Sequence, residues 1–269
     1  MNKESTQGAL FRDPASCTVY EQPLNERMRG FLRLEYLFRN VAVSMARDTE
    51  LDARQAIAGL IEIVDQLGRA DIKGDLVKET ERQIATISGL RDNPGVNRRK
   101  LEQILLRLEP LHALLRAGAA QPGARMRQSE LITQVRQRLA IPGGLCSFDL
   151  PAFHHWLSRG HRQRLVQINE WMEDVRIIED AVHTTLKLIR DSSAPSAMEA
   201  GAGFYQQSLD PATGCQIVRV LLPHDSGLFA EISGGRHRFT VRFLRQNDLA
   251  ARPQQTTEDV IFELQCCGI

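Results

Sequence analysis

The sequence predicts an α+β protein, with a mainly helical domain over residues 24–195 followed by an antiparallel β-sandwich or partly open barrel over residues 196–269. Two observations support this division. Before residue 195, apolar residues recur with the 3.6-residue period of amphipathic helices, whereas after it apolar and polar residues alternate with a period of two. The length of 269 residues is also enough for two domains, each with its own core.

A short segment before the first helix has the composition of a strand. Residues 16–21 read SCTVYE, which includes the β-branched and aromatic residues that strands favour. We expect residues 16–23 to join the C-terminal sheet as an additional strand. The helical domain is then inserted between two parts of the β domain.

The helices are predicted from periodicity and from their end signals. Asn25 is a good N-cap for a first helix that continues through residues 26–45, and Ser129 is expected to cap a later one. The turn of residues 92–95, Asp-Asn-Pro-Gly, ends the third helix because proline lacks an amide donor. The other helical segments are expected at about 53–67, 71–90, 96–117 and 129–139, with a last and longest helix at 161–190.

The strands follow Pro195. They are short, rich in valine, isoleucine and phenylalanine, and separated by glycine, aspartate and proline, which is the pattern of an antiparallel sandwich or barrel. The expected strands are residues 204–209, 216–223, 228–233, 237–244 and 259–266.

Composition restricts the class of protein. The net charge of +1 excludes a globally basic protein, and no apolar run approaches the ~20 residues that span a bilayer. The first residues lack the apolar segment of a secretory signal, and the five cysteines have no disulfide-like spacing. We therefore expect a cytoplasmic protein with reduced thiols that does not associate with membranes.

The sequence contains no recognisable catalytic or metal-binding motif. It has no phosphate-binding glycine loop, no nucleophile elbow, no HExxH and no CxxC pair. His154 and His155 are adjacent, so on a helix they point about 100° apart and are poorly placed to chelate one metal. We expect no enzyme activity, no cofactor and no metal. The least favoured hypothesis is an enzyme whose active site is assembled from residues that are distant in the sequence.

Basic residues are concentrated in two regions. Between Arg91 and Arg138 there are ten lysines or arginines and four acids, a local net charge of +6. This first region includes Arg127, Arg136 and Arg138. In the second, the expected strand at residues 236–245 places three arginines on one face and three apolar residues on the other. The arginines are Arg236, Arg238 and Arg242, and the apolar residues are Phe239, Val241 and Phe243.

A row of like charges does not help folding, and arginine binds carboxylates with two parallel hydrogen bonds. The pattern therefore favours an anionic partner. A solvated face with scattered salt bridges is the alternative interpretation.

Several motifs spread along the chain resemble those of one family, the ZapD cell division proteins. They remain in register from about residue 18 to 267. The motifs are PLNERMR (23–29), LRLE (32–35), VRQRL (135–139), IPGG (141–144), CSFDLP (146–151), HHWL (154–157), FYQ (204–206), ISG (232–234), RF (238–239 and 242–243), FEL (262–264) and CC (266–267).

The resemblance implies a homodimer that binds the C-terminal peptide of the division protein FtsZ and bundles FtsZ filaments at midcell. It implies peptide contacts from Arg33, Arg69, His154, Arg238 and Arg242. Glu130 stands where relatives can carry arginine, so this part of the site is expected either to be weaker here or to use Arg127 instead.

The IPGG–CSFDLP segment also has a structural interpretation. We expect its Pro-Gly-Gly, residues 142–144, to turn the chain into an extended stretch. Phe148, Leu150 and Trp156 are predicted to be core residues. For His154, a buried and hydrogen-bonded role is the alternative to partner binding.

A nucleic-acid-binding module that uses the same arginines is the alternative function. The near-neutral charge and the scarcity of aromatic residues after position 195 argue against it.

Overall fold

The computed structural model describes residues 16–118, 121–210 and 214–269. It has the predicted α+β class, with helices followed by antiparallel strands. The chain divides into two compact units, and each is described by itself. The helical unit is Gly30–Leu186, and the β unit consists of the described parts of Met1–Arg29 and Lys187–Ile269. The domain limits expected from the sequence, 24–195 and 196–269, stay predictions.

The helices in the described ranges are α1 Glu26–Met45, α2 Glu50–Arg69, α3 Ile72–Ser88, α4 Arg98–Ala117, α5 Ala124–Gln128, α6 Glu130–Arg138, α7 Pro151–Leu157, α8 His161–Met172 and α9 Arg176–Arg190. None of them combines the length and apolar character that crossing a bilayer requires.

Side-chain caps define where several helices begin. Asn25 Oδ1 accepts a hydrogen bond from the amide of Met28 at 2.9 Å, so the predicted N-cap is confirmed. Ser129 caps α6 in the same way, through the amide of Ile132 at 3.4 Å. Helix α2 begins earlier than expected because the Thr49 side chain accepts from the Asp52 amide at 3.0 Å.

Gly59 allows α1 and α2 to pack closely. A Cβ atom at this position would come within 2.8 Å of Val41 Cγ2, so any larger residue would push the two helices apart. The contact positions α1, which carries Arg33, beside α2, which ends at Arg69.

The prediction of one helix over residues 161–190 is wrong, because the structure has two helices separated by a turn at residues 173–175. The turn presents two acids to the start of α5, a helix that the sequence analysis missed. Asp174 accepts a hydrogen bond from the Arg125 amide at 3.1 Å, and Glu173 pairs with the Arg125 guanidinium at 2.7 Å. The Arg125 amide, at the start of α5, thereby gains a hydrogen-bond acceptor, and the two carboxylates place negative charge near that end of the helix.

The expected extended stretch after Pro-Gly-Gly is also wrong. Residues 139–149 form successive turns that lead into α7. Gly143 has φ +71°, a conformation that favours glycine, and the amide of Leu150 bonds to the carbonyl of Cys146 at 3.0 Å.

The turns decide which apolar residues of this segment are buried. Leu150 and Trp156 are buried, as predicted. Phe148, predicted to be in the core, is 84% exposed because the turns direct its side chain outward.

The strands in the described ranges are β1 Cys17–Pro23, β2 Ser196–Ala200, β3 Phe204–Ser208, β4 Ile217–Pro223, β5 Phe229–Gly234, β6 Arg238–Arg245, β7 Gln254–Gln255 and β8 Val260–Cys267. Strands β2 and β7 were not predicted; Ser196–Ala200 lacks a continuous pattern of β-branched residues.

The strands form two antiparallel sheets. The first has the order β1-β4-β8-β2, and the second has the order β3-β6-β5, with β7 beside β6. A shared apolar core includes Phe239 and Phe243 from β6 and Phe262 from β8, whose ring lies 4.9 Å from that of Phe243. This core fixes which face of β6 points to solvent.

Candidate anion-binding surfaces

Strand β6 carries the first basic surface, and its side chains alternate as the sequence predicted. Phe239, Val241 and Phe243 are buried, while Arg238 and Arg242 are exposed. The two arginines therefore point away from the core of the β unit, where a partner can reach them.

Arg236 does not belong to this row. Strand β6 begins at Arg238, and Arg236 lies in the turn that joins β5 to β6. Arg236, His237 and Arg238 line a shallow depression of about 460 Å³, together with Gln206 and Ser233 of the flanking strands. The expectation of three arginines in a row on one strand is thus corrected to two arginines on the strand and one at its start.

Strand register gives Arg242 an acidic neighbour. Glu231 of β5 and Phe204 of β3 lie opposite Arg242 on either side, so the three side chains share the outward face. A carboxylate oxygen of Glu231 is 2.7 Å from the Arg242 guanidinium, and both side chains are about half exposed, at 50% and 55%. Arg238 lies opposite Ser208, and its side chain has no ion-pair or hydrogen-bond partner within the described residues.

The helical unit carries the second basic surface, around two depressions. Arg69, exposed at the end of α2, lines the first with Lys73 and Pro122. The second, of about 280 Å³, is lined by Arg127 and Arg136. Arg127 links the two, since its guanidinium donates a hydrogen bond to the carbonyl of Pro122.

Arg33 lies on α1, one turn after a close contact between α1 and the start of α3. Gly30, one turn earlier, is so close to Ile72 that a Cβ atom there would be 3.1 Å from the Ile72 side chain. Ile72 lines the same depression as Arg69. Arg33 is exposed and has no side-chain partner among the described residues. The structure therefore brings the turn that carries Arg33 next to the connection between α2 and α3.

Two other candidate arginines of the helical unit are paired with acids. The Arg136 guanidinium is 2.7 Å from Asp65 of α2. The Arg138 guanidinium is 3.0 Å from Asp149, which also accepts a hydrogen bond from the Cys146 thiol at 3.2 Å. Both arginines hold parts of the helical unit together, so they are less available to a partner than Arg33 or Arg69.

His154 is exposed on α7, and the alternative of a buried, satisfied histidine is wrong. Glu130, in the first turn of α6, accepts a hydrogen bond from Gln134 at 2.9 Å and forms no ion pair with an arginine among the described residues. No group of three or more histidine, cysteine, aspartate or glutamate side chains suited to a metal occurs in the part of the chain that the structure describes.

Sequence reasoning missed the acids that pair with these arginines. Glu231, Asp65 and Asp149 precede or follow their partners by eleven or more residues, as the ion pairs with Arg242, Arg136 and Arg138 show. Of these three ion pairs, only Glu231–Arg242 could have been predicted, because pairing β5 with β6 as a hairpin aligns the two residues.

Comparison with known proteins identifies the family. The family model of ZapD, described as "Cell division protein", matches residues 32–242. The chain belongs to the ZapD family. The family resemblance seen in the sequence motifs is thereby confirmed.

Similarity to individual ZapD proteins extends over most of the chain. "Cell division protein ZapD" of Methylococcus capsulatus is 40% identical over 251 residues, which is 93% of this chain and 97% of the relative. The protein of the same name from Janthinobacterium sp. is 37% identical over 93% of this chain and 99% of the relative. The one from Coxiella burnetii is 32% identical over 95% and 99%, respectively.

Proposed function

We propose that this ZapD-family chain binds the C-terminal tail of FtsZ through its exposed arginines and, as a homodimer, cross-links FtsZ filaments in the cytoplasm at midcell. The observation that carries the proposal is the outward face of β6. There, Arg238 and Arg242 are exposed on the same face, with Thr240 between them, and the Arg238 side chain has no ion-pair or hydrogen-bond partner among the described residues.

Arginine suits a carboxylate-bearing tail because its planar guanidinium can donate two parallel hydrogen bonds to one carboxylate. Arg33 and Arg69 offer further unpaired guanidinium groups, within the described residues, on the helical unit. The existing ion pair of Arg242 does not prevent binding, since an exposed pair contributes only about 0–1 kcal/mol and a tail carboxylate can replace Glu231.

Bundling follows from valency and requires no bond making. A two-fold dimer presents each arginine surface twice, so it can hold tails of two filaments at once. A filament displays many tails, so individually weak contacts add up to firm cross-linking.

Sedimentation tests the proposal directly. With polymerised FtsZ, the chain is expected to pellet and to increase the bundled fraction at low centrifugal force. With FtsZ that lacks its last residues, both effects are expected to disappear because the tail carboxylates are gone. Equal bundling of both polymers would contradict the proposal. Tight binding of DNA or RNA in a gel-shift assay, without any response to the tail peptide, would instead support the nucleic-acid-binding alternative.

In the native protein, Glu231 is expected to weaken binding of the FtsZ tail, because it forms an ion pair with Arg242 and competes with the tail carboxylates. The substitution Glu231→Gln removes the competing charge while keeping the shape of the side chain. We expect it to tighten binding of an FtsZ tail peptide about two- to five-fold, as measured by fluorescence anisotropy. Glu258→Gln is the matched control, because Glu258 pairs at 3.3 Å with Arg245, which is outside the candidate set. Weaker or unchanged binding by Glu231→Gln would show that the Glu231–Arg242 pair does not compete with the tail.

A further inference from the structure

The β unit contains a pair of cysteines that the proposed partner site does not use. Cys215 lies two residues before β4, and Cys266 lies on β8 opposite Val218. Both side chains are half-buried and pack against the shared core of the two sheets. Neither is involved in a disulfide bond in this structure.

The backbone brings the two cysteines together. The amide of Gln216 donates a hydrogen bond to the carbonyl of Cys267 at 2.7 Å. The chain also passes close to Gly268, where a Cβ atom would lie 3.0 Å from Cys215 Cα and would overlap the carbonyl of Gly214. Residue 215 is therefore held against the end of β8, where Cys266 is located.

The side chains of Cys215 and Cys266 pack against the same core and interact with each other, and the Cys215 thiol also lies 3.7 Å from the carbonyl oxygen of Ile217. A hydrogen bond between the two thiols lowers the pKa of Cys266, because it stabilises the Cys266 thiolate. The same bond, together with burial, raises the pKa of Cys215. Cys266 is thus the more nucleophilic sulfur of the pair.

The neighbouring Cys267 differs in both position and reactivity. It points to the other face of β8, because side chains alternate along a strand, and its thiol contacts Ser193 at 3.9 Å. It is fully buried, and burial raises its pKa to about 11. Cys17 is buried as well, and Cys146 belongs to the helical unit, where it bonds to Asp149. The geometry therefore singles out one pair among the five cysteines.

We propose that Cys215 and Cys266 are a redox-modification site, at which a hydroperoxide converts the two thiols into a reversible intramolecular disulfide. The Cys266 thiolate attacks the peroxide oxygen, so that an S–O bond forms, the O–O bond breaks and the leaving oxygen takes up a proton. The Cys215 sulfur then attacks the Cys266 sulfur, so that the S–S bond forms and the S–O bond breaks. The second oxygen leaves as water with the Cys215 proton. In total, two thiols are oxidised and one peroxide is reduced by two electrons.

The disulfide would tie the start of β4 to the end of β8. It would thereby constrain the unfolded chain between residues 215 and 266, so the oxidised β unit is expected to unfold at a higher temperature than the reduced one. A thiol reductant is expected to reverse the shift. This proposal does not depend on FtsZ binding.

Peptide mapping tests the proposal on the full chain. The reduced protein is treated with hydrogen peroxide, free thiols are blocked with N-ethylmaleimide, and the protein is digested without reductant. We expect one cross-linked peptide pair containing Cys215 and Cys266, with a mass lower by two hydrogen atoms than the sum of the two peptides. No cross-link, over-oxidation of Cys266 alone, or a cross-link between other cysteines would overturn the proposal.

Variants provide the controls. Cys215→Ser and Cys266→Ser are each expected to abolish the cross-link, whereas Cys146→Ser is expected to retain it. The result on the unmodified chain decides the question even where a serine variant folds poorly. A cross-link that persists in Cys215→Ser would also contradict the assignment.

Discussion

The double substitution Arg238→Glu and Arg242→Glu is expected to weaken binding of the FtsZ tail peptide by about 100-fold or more and to abolish bundling. Both guanidinium groups point outward from β6 and would face the tail carboxylates directly. Reversing both charges replaces attraction with repulsion. Peptide binding measured by anisotropy, together with sedimentation of FtsZ, tests this expectation.

The double variant is expected to keep its fold. Both positions are exposed, and the inward face of β6, with Phe239, Val241 and Phe243, is unchanged. A glutamate at position 242 would lie opposite Glu231, and such a like-charge pair costs about 0.2–1 kcal/mol. Circular dichroism and thermal unfolding should therefore show only a small loss of stability, so that reduced binding can be assigned to the surface itself.

Arg252→Glu is the matched control for this experiment. Arg252 is an exposed arginine of the same β unit, outside the candidate set, and its reversal changes the net charge in the same direction. We expect it to reduce binding much less than either substitution on β6. Unchanged binding in the double variant, or an equal loss in Arg252→Glu, would remove the β6 face from the site.

The substitution Arg164→Ala is expected to have the largest effect on stability, a loss of about 2–4 kcal/mol in the free energy of unfolding. Arg164 of α8 is an arginine with a structural role, since only 6% of its surface is exposed. Its guanidinium donates to the carbonyls of Leu157 and Arg159 at 2.6 and 2.9 Å, and to Asp48 at 3.0 Å. Alanine would leave these two carbonyls without their charged donor and would open a cavity.

Urea unfolding monitored through the tryptophans of the helical unit measures this loss. Arg162→Ala is the control, because Arg162 is exposed two residues earlier on the same helix, and surface substitutions of this kind change stability by about 0.5 kcal/mol or less. Equal stability of the two variants would show that the buried hydrogen bonds of Arg164 contribute little. The comparison separates an arginine that supports the fold from those proposed to bind a partner.

Features that depend on neighbouring residues along the chain could be predicted from the sequence. The alternation on β6 was predicted because successive side chains of a strand point to opposite faces, and the structure buries Phe239 and exposes Arg238 as expected. The cap at Asn25 was predicted because it satisfies an amide only three residues away. The family was recognised for a related reason, since its motifs are short local patterns in a fixed order.

Features that depend on distant residues could not be predicted in this way. No local signal marks residues 173–175 as a break between helices, because the acids of this turn contact Arg125, which lies on another helix. Phe148 was expected in the core on its chemistry, but the turns around it direct it to solvent. Local hydrophobicity does not determine on which side of the chain the rest of the protein packs.

By itself, the sequence determined the α+β class, the family and the concentration of arginine in two regions. Only the tertiary structure decided which of those arginines have an acidic neighbour, by placing Glu231 against Arg242 and Asp65 against Arg136 while leaving the Arg238 side chain without an ion-pair partner among the described residues. It also decided that the side chains of Cys215 and Cys266, 51 residues apart in the chain, pack against the same core of the β unit. The physical reason is that charge and thiol chemistry act over a few ångströms of space, and the packing of distant segments sets those distances.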